Sequence, residues 1–174
     1  MALTATIFKA TLQISDLDRN HYGEYHLTLA RHPSETDERM MVRLLAFALN
    51  ADEHLAFTKG LCVDDEPELW QKTLSGEIDL WVEVGLPDER RLRKACNRAE
   101  QVILYLYGGR SADIWWQRNA GLLQRHANLG VWEIPETSSR ELATLVQRSM
   151  QLQATIQDGI CWLNSDEQTL AIQP

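Results

Sequence analysis

The sequence predicts a mixed-sheet domain of the α/β class, on the border with α+β. Strict two-residue alternation at both ends of the chain marks half-buried strands. A repeated strand–helix rhythm through the middle marks parallel pairing in a central sheet. No linker, repeat or low-complexity tract interrupts the chain, so residues 1–174 read as a single domain.

From Thr6 to Ile14, Phe8, Ala10, Leu12 and Ile14 face one way and Lys9, Thr11 and Gln13 the other. Tyr25, Leu27 and Leu29 alternate with Glu24, His26 and Thr28, giving a second half-buried strand after the polar connection 15–23. The period then changes to 3.6. Ser34 serves as a plausible N-cap for a helix over 35–50, whose stripe is Met41, Val42, Leu45, Ala48 and Leu49. A short strand over 55–58 and the acidic turn segment 64–68 follow. Next come a strand over 78–84 and a helix from Pro87 to Ala99, with Pro87 in its first turn. The apolar run 101–107 suits a strand covered on both faces. A helix over 111–126, a strand over 131–134 and a helix over 138–148 continue the rhythm. The chain then alternates again over 150–157, and Asp158-Gly159 signals a hairpin into 160–163.

Length and charge restrict the function. A chain of 174 residues buries a substantial core without staples. With 25 acidic against 17 basic side chains, the net charge of −8 argues against coating nucleic acid with the whole surface. A local basic groove remains compatible with it. Cys62, Cys96 and Cys161 are odd in number and widely spaced, which fits neither a disulfide framework nor a structural zinc site. Without a signal-like N-terminus or a long apolar run, the expectation is a cytoplasmic protein with no membrane association.

The segment Gly76–Gly85 is the most informative. Ile78, Leu80, Val82 and Val84 point one way; Asp79, Trp81, Glu83 and Gly85 point the other. Carboxylates inside a sheet are costly unless paired with a cation. Asp79 and Glu83 lie about 13 Å apart on a straight strand, whereas carboxylates hold a hard cation at about 2.0–2.6 Å. One of the two therefore needs partners elsewhere, and Glu68 beside Pro67 is the first candidate. Glu38 falls within the apolar stripe of its helix, where it either belongs to the same site or complements the helix dipole. Arg91, Lys94 and Arg98 share a flank of the helix 87–99. They either neutralise nearby carboxylates or meet phosphates.

The runs SETDERMMVRLLAFALN (34–50), EPELWQKTLSGEIDLWVEVGLPDERRLRKACNRA (66–99) and QVILYLYG (101–108) resemble the YaeQ family of bacterial proteins over essentially the whole chain. The resemblance implies a variant of the restriction-endonuclease-like fold of the PD-(D/E)XK nuclease superfamily: a mixed sheet flanked by helices, with N- and C-terminal antiparallel strands added. It also implies a strand near 68–74. Position by position, Glu38 resembles the acidic residue of the first helix, and Pro67-Glu68 the PD, with Asp79 a second candidate for that Asp. Glu83-Val84-Gly85 resembles the (D/E)XK. These carboxylates would gather around a magnesium ion. Gly85 stands where the family's lysine should be, and Lys94 or Arg91 would supply the missing charge. The expectation is a magnesium-dependent nuclease. The alternative is an inactive nuclease fold that binds nucleic acid or a protein partner. Hydrolysis of a small phosphorylated metabolite fits the acidic net charge better than DNA cleavage does.

Overall fold

The computed structural model describes residues 4–60 and 63–174; Cys62 lies outside the described residues. The chain forms two compact units, 1–51 with 137–174 and 52–136. Two mixed five-stranded sheets, each with helices, make up the architecture.

The first unit begins with β1 (Thr6–Asp16) and β2 (His21–Arg31). They pair antiparallel from Thr6↔Arg31 to Asp16↔His21, so the turn is only Leu17–Asn20, shorter than the connection expected over 15–23. The alternation is as read: Phe8, Ala10, Leu12 and Ile14 are buried. Helix α1 (Asp37–Leu49) contacts β1 and β2, and Phe47 meets Tyr25 edge-on at 5.1 Å between ring centroids. Its cap is Thr36, whose hydroxyl accepts from Arg39 N–H, and not Ser34. The Ser34 hydroxyl is engaged with His32 Nδ1 at 2.6 Å. Helix α5 is Glu136–Ala143.

The chain then supplies β8 (Ser149–Gln157), β9 (Ile160–Asn164) and β10 (Thr169–Ile172). The sheet order is β10-β9-β8-β1-β2. Asp158 (φ 53°) and Gly159 (φ 75°) make the expected two-residue hairpin turn between β8 and β9; positive φ at both positions is what a type I′ turn demands. The terminal strands are not only antiparallel. β1 pairs with β8 in parallel, Lys9↔Ser149 through Asp16↔Ile156, and that pairing joins the two ends of the chain. The inner face carries Met150, Leu152, Ala154, Ile156, Cys161 and Leu163, all buried.

The second unit holds β3 (Leu55–Phe57), β4 (Leu69–Lys72), β5 (Ile78–Val84), β6 (Ala99–Leu106) and β7 (Leu129–Glu133), in that sheet order. The pairs β3·β4 and β4·β5 are antiparallel, whereas β5·β6 and β6·β7 are parallel. Helix α2 (Glu89–Arg98) returns the chain from β5 to β6, and α3 (Arg110–Asn119) with α4 (Leu122–Arg125) returns it from β6 to β7. Val102–Leu106 are all buried, as a strand covered on both faces requires.

Both helical connections of the second unit differ from expectation. Asp88 caps α2 by accepting from Arg91 N–H at 2.8 Å, so Pro87 precedes the helix, and its carbonyl accepts from Trp115 Nε1. The helix expected over 111–126 is broken after Asn119. That side chain bonds the Trp115 carbonyl at 2.9 Å, competing with the backbone ladder just before Gly121. The register between β4 and β5 also shifts at Gln71/Lys72. Beyond it Ile78 packs against the cluster that holds Trp81 rather than on the other face, so the expected alternation fails at the start of β5. No helix among the described residues is long and apolar enough to cross a membrane.

Candidate functional site

The site in the second unit grows from the register of β4 against β5. Leu69 pairs with Val82 and Trp70 with Trp81, and Glu68 N–H donates to the Val82 carbonyl at 3.0 Å. That bond brings Glu68 to the end of the ladder, close enough to Glu83 for its charge to bear on that carboxyl. Paired residues project to one face, so Trp70 and Trp81 share it, and Glu83, two residues further along β5, shares it with them. In parallel, Trp81 pairs with Val102 and Glu83 with Leu104, and Trp81, Val102 and Leu104 join Leu92, Ala95 and Cys96 of α2 in one apolar cluster. Glu83 therefore lies on the face that α2 covers. Glu68 and Glu83 are each only 2% exposed. Gly60, at φ +55°, admits the Glu68 carboxylate where a Cβ would stand 3.1 Å from Oε2.

Arg91 closes the arrangement. Glu83 Oε1 accepts from Arg91 Nε at 2.9 Å and from Trp81 Nε1 at 2.8 Å. The two remaining guanidinium nitrogens donate to the carbonyls of Asp64 (2.9 Å) and Glu66 (2.7 Å). Burial pushes Glu83's carboxyl above its ordinary range. Arg91 and the Trp81 N–H pull it back, and the neighbouring Glu68 charge adds to the rise. Further along α2, Lys94 bonds the Asp65 carboxylate, and Arg98 donates to the Asp65 carbonyl at 2.8 Å and covers the Trp81 ring. Lys94 holds the Asp65 carboxyl below its usual value, through its hydrogen bond first and its charge second. The acidic segment 64–66 and the basic flank of α2, read separately in the sequence, are thus partners.

The other candidates are placed as follows. Asp79 is exposed at the start of β5. Gly85 has φ +96°, and its N–H donates to the Tyr105 carbonyl. Glu38 belongs to the first unit, where its Oε1 accepts from Ser139 Oγ at 2.6 Å. Of the expected set the structure brings together Glu68, Glu83 and Arg91.

Sequence reasoning missed a second buried pair. Glu35, 7% exposed, takes Arg43 on both carboxylate oxygens at 2.7 and 2.8 Å, with Arg39 on Oε1 at 2.9 Å. Arg43 lies away from the stripe but beside Ala46 and Phe47 on its helix, and an arginine flanked by apolar residues there was the available signal.

Two adjacent buried carboxylates are donors suited to a hard cation. A catalytic magnesium ion also keeps several waters and needs open coordination positions. Here Glu83 is sealed and its Oε1 already holds two donors. Among the described residues no three His, Cys, Asp or Glu side chains gather as a set that could hold a metal ion. In this arrangement the residues fit a guanidinium better than magnesium.

The model of the family described as "YaeQ protein" matches residues 1–174. The chain belongs to the YaeQ family. It is 54% identical over 172 residues to the uncharacterized protein YaeQ of Escherichia coli (strain K12), covering 99% of this chain and 95% of that one. The Salmonella typhi protein is 52% identical over 173 residues, with 99% and 96% covered. The crystal structure of the YaeQ protein from Xanthomonas axonopodis pv. citri superposes with a TM-score of 0.95 at 48% identity, covering 98% of this chain and 97% of that one. The Pseudomonas syringae YaeQ structure gives 0.92 at 36%, with 97% and 93% covered.

Proposed function

We propose that this YaeQ-family chain is a non-hydrolytic nucleic-acid-binding protein on a restriction-endonuclease-like frame. The order α1, β3, β4, β5, α2, β6 follows the core that the PD-(D/E)XK resemblance implies, and the nearness of Glu68 to Glu83 supports giving them the motif's two acidic positions. One observation carries the non-hydrolytic reading: Glu83, 2% exposed, is bonded to Trp81 and Arg91 of its own chain. Gly85 adds to it, because no lysine stands there to steady a developing charge on phosphate.

For binding, the support is local charge. Helices α2, α3 and α4 all contribute to the apolar cluster on one face of the sheet. Arg90, Arg93, Arg110 and Arg118 on α2 and α3 are exposed, within a chain of net charge −8. A basic helical layer on an acidic body meets phosphates while repelling non-specific coating.

The adjacency of Glu68 and Glu83 favours a second reading, a magnesium-dependent nuclease in which Glu83 exchanges Arg91 for the ion. Fluorescence anisotropy on single- and double-stranded DNA and RNA, paired with a gel assay in magnesium, separates the two. The expected result is salt-sensitive binding without turnover, with Arg90→Ala and Arg93→Ala each lowering the salt slope by about 1. Metal-dependent turnover that Glu83→Gln abolishes without unfolding the protein would overturn the proposal. So would the absence of binding at low salt.

A further inference from the structure

The sheet edges of the protein are short except for one. β2 is the outer strand of the first unit's sheet and has 11 residues, whereas the other edge strands, β10, β3 and β7, have four, three and five. Its pairing with β1 runs from Thr6↔Arg31 to Asp16↔His21 without a bulge, and it holds no proline or lysine. Proteins blunt an exposed edge with those devices or by covering it. A long edge that lacks them is a template for another strand.

The outward backbone groups follow from the register. Lys9 N–H donates to the Arg148 carbonyl at 2.8 Å, so Lys9 turns its backbone toward β8. Thr28, its antiparallel partner, then turns its own N–H and C=O away from β1. Tyr22, Glu24 and His26 share that phase. So does Ala30, whose carbonyl is taken from outside by Arg43 Nη2 at 3.1 Å, and Arg43 thus ends the open edge. Among the described residues no backbone group bonds Tyr22, Glu24, His26 or Thr28 from that side. All four residues are exposed.

We propose that β2 pairs antiparallel with β2 of a second copy of this chain. A two-fold axis uses each edge once and closes the assembly, and it requires an edge that complements itself. The side chains of β2 do so in one register. Centred on Tyr25, the pairing sets Glu24 opposite the partner's His26 and Tyr22 opposite the partner's Thr28, each twice by symmetry. A carboxylate facing an imidazole and an aromatic facing a β-branched residue are both favourable cross-strand pairs. All four outward residues then exchange backbone bonds, roughly eight in total, and the Ala30 carbonyl is left to Arg43. Centred on Glu24 or on His26 instead, that residue meets its own copy, and like charges directly opposite destabilise a sheet. Within one chain Glu24 Oε1 already lies 3.1 Å from His26 Nε2, so pairing only changes which copy supplies the imidazole.

Sedimentation equilibrium of the full chain tests this, up to about 200 µM and at about pH 6, where an ordinary imidazole is mostly charged. The mass should rise from one chain toward two and stop there. Thr28→Pro deletes an outward N–H while leaving the β1 ladder intact, and should weaken pairing about tenfold or more. Glu24→Lys sets a cation against the partner's His26 and should weaken it similarly. Adding His26→Glu to Glu24→Lys restores opposite charges and should return the constant to within about threefold of the unmodified chain. Circular dichroism confirms that the variants fold. In hydrogen exchange, the amides of Tyr22, Glu24, His26 and Thr28 should slow as concentration rises, while those of Gly23, Tyr25 and Leu27, already directed to β1, stay unchanged. One chain mass throughout would overturn the proposal and leave the edge to an extended segment of another protein. A constant unmoved by Thr28→Pro and Glu24→Lys, a double variant as weak as Glu24→Lys, or protection confined to other residues would each overturn it too.

Discussion

Arg91→Ala removes one side chain and three hydrogen bonds at once: one to the buried Glu83 carboxylate and two to the carbonyls of Asp64 and Glu66. Breaking a buried ion pair by deleting one partner costs about 3–5 kcal/mol. The Arg91 side chain is 26% exposed, so part of its charge is already hydrated and the low end applies, about 3 kcal/mol. Glu83→Gln keeps the shape and an acceptor for both donors, so its cost is smaller, about 1–2 kcal/mol. Urea unfolding of both singles and the double gives a coupling energy expected near 1–2 kcal/mol. The pH dependence is the sharper test. Burial raises the folded-state pKa of Glu83, and Arg91 opposes that rise. For a raised carboxyl, the stability contribution is complete below the unfolded value and is lost as pH rises through the folded one. Without Arg91 the folded value rises further. The Arg91→Ala deficit should therefore be smallest in acid, below the ordinary glutamate range, and widen as pH rises above that range. A deficit that is flat, or larger in acid, would refute this account of Glu83. So would a cost below about 0.5 kcal/mol, the level of an exposed surface pair.

Two further outcomes follow from buried groups in the first unit. Arg43→Ala leaves Glu35 with Arg39 alone inside the protein, and urea unfolding should show a loss of about 3–5 kcal/mol, whereas Arg39→Ala should cost less because Arg43 still holds both oxygens. Cys161 is fully buried, and burial, with the nearby Asp16 charge second, pushes its thiol up to about 12. Mass-spectrometric mapping after iodoacetamide at mildly alkaline pH should find Cys161 unmodified in the native protein and modified only after unfolding, since the thiolate is the reacting form.

The strands were legible where one face meets water. The alternation of Phe8, Ala10, Leu12 and Ile14 against Lys9, Thr11 and Gln13 fixes both the existence and the facing of β1, and Asp158-Gly159 fixes a turn by its need for positive φ. Pairing partners were not legible. Gln151 bonds Thr11 across 140 positions of chain, and no local pattern tells β1 that its neighbour is β8. Helix ends failed for a related reason: Ser34, Thr36 and Asn119 all compete for backbone groups, and their contacts with His32, Arg39 and Trp115 decide which of them caps, which does not and which breaks a helix.

For the candidate site, the sequence located the participants but not their bonds. The distance along a strand was enough to separate Asp79 from Glu83, and the end of β4 then brought Glu68 near Glu83. The basic flank of α2 was visible as a 3.6-residue stripe, yet a stripe cannot say whether it faces phosphate or its own protein. The structure gives Arg91, Lys94 and Arg98 to the segment 64–66 and leaves Arg90 and Arg93 outward. One helix therefore divides its cations between two tasks. The inner three hold an acidic loop over a buried carboxylate, and a solvent-facing remainder is available to a polyanion. Substitutions on the two sides should separate accordingly: Arg91 and its neighbours lower stability, whereas Arg90 and Arg93 lower affinity with stability unchanged.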